Sequence, residues 1–179
     1  MVDGATKSFV QAYNAQAAVD GQAQVIVACG VTNAALDVQQ MWPMLDQVHA
    51  NLGRWPTIVT ADAGYFSNAN VMAVSDTGID LYVPPDKMKH TALAGAASTP
   101  GRPTIAEAMR EKLRAVGAPA IYAQRKAIVE PVFGQTKEVR GFRRFSFRGR
   151  RKVAAEWAVI CLTHNLLKLF RAGWRRCPA

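Results

Sequence analysis

Cysteine is scarce in this chain, and its placement indicates neither a metal centre nor a cross-linked scaffold. Cys29, Cys161 and Cys177 are scattered, odd in number and without a CxxC pair. That spacing argues against a thiolate zinc site and a disulfide framework. Reduced thiols in a cytosolic protein are the simplest reading. A glycine-rich phosphate loop, a Ser/His/Asp pattern and internal repeats are all missing, which removes the common nucleotide-binding, serine-hydrolase and solenoid readings. The first ten residues, MVDGATKSFV, lack the apolar core of a signal peptide. The longest apolar stretch, Trp157 to Phe170, is broken by Thr163, His164, Asn165 and Lys168. It reads as a buried helix, too short and too polar to span a bilayer.

Acidic residues are also few where cations are dense. From Ala120 onward, 14 Lys/Arg face 3 acids, a balance of +11, whereas residues 1–119 carry 8 against 10, a balance of −2. A neutral front and a basic back imply a polyanion-binding surface built by the last third, with nucleic acid the commonest such partner. No basic amphipathic helix with a broad apolar face supports a membrane partner. Half of the 179 residues are hydrophobic and 20% are charged. That composition and length predict one globular domain over residues 1–179.

The run FVQAYNAQAAV (Phe9–Val19) and the run VIVACGV (Val25–Val31) read as two antiparallel strands joined at Asp20-Gly21, a hairpin signal. Asp20 stands where a metal ligand could, but the reading as a turn residue before glycine is favoured. Asn33 or Asp37 can cap the next helix, in which Val38, Met41, Trp42, Leu45, Val48 and Leu52 recur at helical spacing up to Gly53. Thr57 to Ala61 is a short β-branched run of the kind found in central parallel strands. It ends in Asp62, at the carboxyl end, where open α/β sheets place their sites; a cap or turn is the plainer reading, and function is favoured. A short helix over Asn68–Asp76 and a strand over Leu81–Val83 follow. Residues 86–119 read as an insertion or mobile excursion with one helix at Thr104–Val116. The last helix, Lys152–Arg171, turns Val153, Trp157, Ile160, Leu167 and Phe170 to the core, with His164-Asn165 as a polar patch.

Between these lies Arg125–Lys152. A helix over Tyr122–Val139 would put Glu130 and Lys137, two turns apart, on one face with Lys126. Pro131 implies a kink or a start near Glu130. Beyond come Arg140, Arg143, Arg144, Arg148, Arg150, Arg151 and Lys152, interleaved with Phe142, Phe145 and Phe147. A carboxylate that can hold a metal, followed by cations and aromatics that can hold a phosphate backbone, is one reading. A surface helix with an ion pair and a solvated basic tail is the other.

Read together, YNAQAAVD (Tyr13–Asp20), TADAGYFS (Thr60–Ser67), IVEPVFGQTKEVRGFRRFSFRG (Ile128–Gly149) and EWAVICLTHNLLKL (Glu156–Leu169) closely resemble the C-terminal part of DDE transposases of bacterial insertion sequences. The resemblance covers nearly the whole chain. It implies an α/β, ribonuclease H-like mixed sheet flanked by helices, with a carboxylate triad that binds two divalent metals, magnesium or manganese. It maps the second Asp onto Asp62, and the Glu with its Lys onto Glu130 and Lys137. Tyr122 and Arg125 partly match an element before the Glu, with Lys126 the alternative for the Arg role. The family's first Asp belongs to a strand before the YNAQ-like strand. Asp3 resembles it only superficially, and Asp20 ends the following strand. The resemblance therefore implies a truncated transposase lacking that strand, inactive alone, whose residues 137–176 form a basic DNA-binding part. Arg125, Lys126, Lys137, Arg140, Arg143, Arg144 and Arg148 are its candidate DNA contacts. Double-stranded transposon ends are the implied partner, with a homodimer in the DNA complex and a bacterial cytoplasmic location. The competing readings are a non-catalytic DNA-binding remnant and a ribonuclease H-like nuclease or resolvase of another kind.

Overall fold

A computed structural model describes residues 12–86 and 103–173. Asp3, Cys177 and residues 87–102 of the expected excursion lie outside the described residues.

The hairpin forms as the alternation predicts. Strand β1 (Asn14–Val19) pairs antiparallel with β2 (Ile26–Thr32), from Asn14 opposite Thr32 to a bulge at Ala18/Val19. Its connection differs from a tight Asp-Gly turn. The Asp20 carboxylate accepts the backbone N–H groups of Gln22 (3.1 Å) and Ala23 (2.7 Å). The Asp20 N–H donates to Val25 O at 2.8 Å. A short carboxylate that bonds its own following backbone stabilises this wider loop, and Gln24 takes the left-handed conformation, φ 56°. Asp20 is thus a turn residue.

After the hairpin, a 3-10 turn (Asp37–Gln40) leads into helix α1 (Met41–Leu52). Neither Asn33 nor Asp37 caps it by side chain. Asp37 turns toward β1 instead. Met41, Leu45 and Val48 are buried as their spacing requires, while Trp42 lies at the edge against Trp55, ring centroids 5.8 Å apart. Gly53 ends the helix at φ 68°, its N–H on His49 O, which is the left-handed C-terminal position that favours glycine.

Strand β3 (Ile58–Thr60), helix α2 (Asn68–Ser75) and strand β4 (Asp80–Tyr82) form a parallel βαβ unit. The expected central strand is therefore bonded on one side only among the described residues, and Ile58 is 47% exposed. The described strands make two two-stranded sheets instead of one mixed sheet. Side chains of Asn14, Gln16, Asp37 and Tyr65 link β1 to the turn after β3 by hydrogen bonds.

Helix α3 (Ile105–Arg114) starts at a capping box in which the Thr104 hydroxyl and Glu107 carboxylate exchange bonds with each other's backbone. Helix α4 (Ala118–Gly134) starts earlier than expected, because Pro119 in its first turn needs no donor there. Pro131 neither starts nor breaks this helix. It cannot donate to Ala127 O, four residues back, and the Gln24 side-chain amide of the hairpin loop donates to that carbonyl instead, at 2.9 Å. Beyond Gly134 the chain winds one wider π turn (Gln135–Val139).

Helix α5 (Arg150–Ala172) lies against the hairpin. It is 23 residues long and contains an 18-residue window of mean hydropathy 1.3, values that the core helix of a folded domain also reaches. Its buried face belongs to this domain. Val153, Trp157, Ile160 and Cys161 pack with Ile26 and Val132. The polar patch of His164 and Asn165 faces the hairpin: Nε2 of the buried His164 lies 2.9 Å from Gln24 O, and the Asn165 amide bonds both N–H and C=O of Ile26. Leu167 is half-buried and Phe170 is 49% exposed, so the core face ends earlier than its spacing predicts. A second core joins Met41, Leu45, Val74, Leu81, Val83, Met109 and Leu113 around the parallel pair.

Candidate active site and nucleic-acid interface

Asp62 follows β3 directly and caps a 3-10 turn (Ala63–Tyr65), its Oδ1 accepting the Gly64 N–H at 2.8 Å. The capping reading and exposure to solvent are thus compatible, and the carboxylate makes no other hydrogen bond among the described residues.

The carboxylate brought against Asp62 is Asp37. A Cβ on Gly64 would lie 3.1 Å from Asp37 Oδ2 and 3.1 Å from Asp62 Oδ1, so the two acids close over a position where only glycine fits without displacing them. Asp37 is held from the other side by Asn14 Nδ2 (2.5 Å) and Gln16 Nε2 (2.8 Å). The buried Gln16 completes the link by accepting the Tyr65 hydroxyl. Burial, and then the charges of Asp37 and Asp62, push the Tyr65 hydroxyl above its usual range. It therefore stays protonated as a donor.

The network joins YNAQ to ADAGY through Asp37, which the sequence reading treated only as a cap. One signal for it was present: Asn14 and Gln16 are two residues apart on a strand and so share a face. A buried glutamine at such a position needs partners. Replacing Gln16 with alanine leaves Asp37 and the Tyr65 hydroxyl short of a partner, and is expected to cost about 1–3 kcal/mol. Urea denaturation should show a lower midpoint at unchanged slope. Tyr65→Phe should add little in the Gln16→Ala background, because both changes break the same bond.

Helix α4 reaches this region through Tyr122. Burial raises the Tyr122 hydroxyl, Arg125 opposes the rise, and the Asp62 charge adds to it. The Arg125 guanidinium lies 5.6 Å from the Tyr122 ring centroid, and its buried Nε has no hydrogen-bond partner among the described residues. Glu130 is exposed on the same helix and makes no hydrogen bond or ion pair among the described residues. Helical rise places it about 12 Å further along the axis than Tyr122. Lys126 is exposed, and Lys137 Nζ stands 5.6 Å over the Phe133 ring.

A hard divalent cation takes one or two carboxylates and retains waters. Asp62, an exposed oxygen donor beside a second carboxylate, suits one such ion. No group of three or more His, Cys, Asp or Glu side chains converges among the described residues.

The basic segment forms an arch between the π turn and α5. Gly141 (φ 74°) and Gly149 (φ 86°) turn its two ends. Glu156 of α5 accepts the N–H groups of Ser146 (2.8 Å) and Phe147 (3.1 Å). The Ser146 N–H above all holds its carboxyl below the usual range. The Gly149 N–H donates to the Tyr13 hydroxyl at 2.8 Å. Of the candidate cations, Arg140 faces inward, donating to Ile160 O and the Thr163 hydroxyl, and Arg143 pairs with Glu138. Arg144 and Arg148 are exposed and unpaired among the described residues. Beneath the arch is a cleft of about 990 Å³, lined by Tyr13, Phe133, Phe142, Phe145, Phe147 and Trp157 together with Lys137, Arg143, Arg144 and Arg148.

No curated protein and no solved structure matches the chain. A family model described as a transposase DDE domain matches residues 3–166. That span takes in β1, the Asp37 and Asp62 turns, Glu130, the arch and most of α5. The chain belongs to the family of transposase DDE domains.

Proposed function

We propose that this chain is the catalytic part of an insertion-sequence transposase, with a ribonuclease H-like core acting on transposon DNA ends in a bacterial cytoplasm. The observation that carries the reading is the exposed Asp62 carboxylate at the end of β3, within the matched family span and joined to the hairpin through Asp37. Asp62, with Asp37 beside it, would hold magnesium or manganese, and Glu130, exposed further along α4, is the second acid that the family resemblance assigns to that role. A divalent cation bound there supplies Lewis-acid stabilisation to a phosphoryl transfer. The chain's own groups do the rest. Asp37, Gln16 and Tyr65 orient the Asp62 turn, and Arg125 offers a cation beside Tyr122. Lys137, Arg144 and Arg148 bind phosphates and fix the strand's position without reading its sequence. The reaction exchanges one phosphodiester for another: an oxygen nucleophile attacks phosphorus, and the 3′ oxygen of the cleaved strand leaves with the bonding pair. Strand transfer at two ends makes a homodimer on DNA the natural working assembly.

A second reading, a DNA-binding remnant without catalysis, is favoured by one observation: no third carboxylate joins Asp62 and Asp37 among the described residues. A supercoiled-plasmid nicking assay with magnesium or manganese separates the two. Little or no nicking is expected from the chain alone, since two carboxylates leave a second ion without a bridging ligand. Fusing an upstream segment that carries a third carboxylate strand should restore nicking, and Asp62→Asn or Glu130→Gln should abolish it again. Nicking that survives both substitutions would overturn the assignment of these two residues.

A further inference from the structure

The cleft under the arch has a composition that phosphate binding does not explain. Cations suffice to hold a duplex backbone. Here, however, Phe142 and Phe147 stand 40% and 56% exposed among Lys137, Arg143, Arg144 and Arg148. A phenyl ring has no hydrogen-bonding group for a phosphate or a base edge, and in an intact duplex the base faces are already stacked on one another. Exposed rings beside cations suit the opposite case, in which unpaired bases stack on aromatics while their backbone runs along the positive rim.

Three further observations agree. The floor beneath the rings is a fixed aromatic layer: Phe133 stacks on Trp157 (centroids 6.0 Å apart), Phe145 meets Trp157 edge-on (6.3 Å), and Tyr13 meets Phe145 edge-on (6.4 Å). The backbone that carries both rings is pinned without a ligand, by the N–H groups of Phe142 on Thr136 O, of Ser146 and Phe147 on Glu156, and of Gly149 on the Tyr13 hydroxyl. The cleft, at about 990 Å³, has the size of a small-molecule site. It admits a few nucleotides of one strand and cannot contain a double helix.

We propose that this cleft binds a short unpaired segment of a DNA strand, its bases stacked on Phe142 and Phe147 and its phosphates on Arg144 and Arg148. The chain would then hold its substrate with the strands parted next to the duplex that the outer cations grip. The proposal rests on the reading of the chain as DNA-binding and specifies the form of DNA that this cleft takes.

Fluorescence anisotropy on the full chain tests it, with three labelled oligonucleotides of one sequence: single-stranded, blunt duplex, and duplex with a mispaired end. The single strand and the mispaired end should bind at least roughly tenfold tighter than the blunt duplex. Phe142→Ala and Phe147→Ala remove one stacking partner each, and should weaken single-strand binding between about fivefold and a hundredfold while leaving duplex binding unchanged. Phe142→Trp should retain single-strand binding. Both rings are solvent-exposed, so circular dichroism of the variants should match the parent. Equal affinity for single strand and blunt duplex, unaffected by the Phe substitutions, would overturn the proposal and leave the DNA-binding reading standing. Duplex binding weakened as much as single-strand binding would also overturn it, since the rings would then be wedging between paired steps. Failure to bind any of the three would overturn the DNA-binding reading itself.

Discussion

Replacing Trp157 with alanine is expected to cost about 3–5 kcal/mol of folding stability, the range for deleting a large buried aromatic. Trp157 is 5% exposed and stands where three parts of the chain meet. Its ring stacks on Phe133 of α4 and meets Phe145 of the arch, while its Nε1–H donates to Gln16 O on β1 at 2.9 Å. Removing it opens a cavity and also leaves a strand carbonyl without its donor. Against a total stability of about 5–15 kcal/mol for a domain, much of the folded population is at stake. A thermal melt followed by circular dichroism should shift down by roughly 6–20 °C for a chain of this size. Trp157→Phe keeps most of the packing and loses only the hydrogen bond, so a loss of about 1–2 kcal/mol is expected. If Trp157→Ala lost less than the phenylalanine variant, α5 would not be the buttress of the hairpin.

DNA affinity should fall steeply with salt, and four arginines should contribute unequally to that slope. A protein neutralising 6–10 phosphates loses about 10³–10⁵ in affinity between 50 and 200 mM salt. Arg144 and Arg148 project from the arch without an acidic partner among the described residues. Alanine at either should flatten the plot of log affinity against log salt by about one unit. Arg143 is paired with Glu138, so its removal should change the slope less. Arg140 donates into α5 and covers Phe142 at 5.2 Å, so Arg140→Ala should appear in the melt before it appears in the slope. Titration by anisotropy across a salt series measures all four. Slopes identical to the parent for Arg144→Ala and Arg148→Ala would mean that the arch lies off the DNA, its arginines merely covering phenylalanine with their stems.

The sequence by itself determined most of what is local. Hydrophobic pattern placed β2, α1 and α5 within a few residues, because burial on one face is written into nearest-neighbour order. Thr104 with Glu107, and Gly53 after Leu52, marked helix ends by chemistry that acts within one turn. The motifs around Asp62 and Glu130 were legible for the same reason, being contiguous. The tertiary structure decided whatever depends on residues far apart in the chain. Pro131 reads as a kink or a helix start, and only the fold shows it inside α4, with Gln24, more than a hundred positions earlier, supplying the donor that Ala127 O lacks. His164 and Asn165 read only as a polar patch on a helix until the hairpin docks on them. Asp37 reads as a cap until β1 and the Gly64 turn close on it and set it beside Asp62. In each case a polar group took its partner from across the fold, and nearest-neighbour order does not encode which distant segment will dock there.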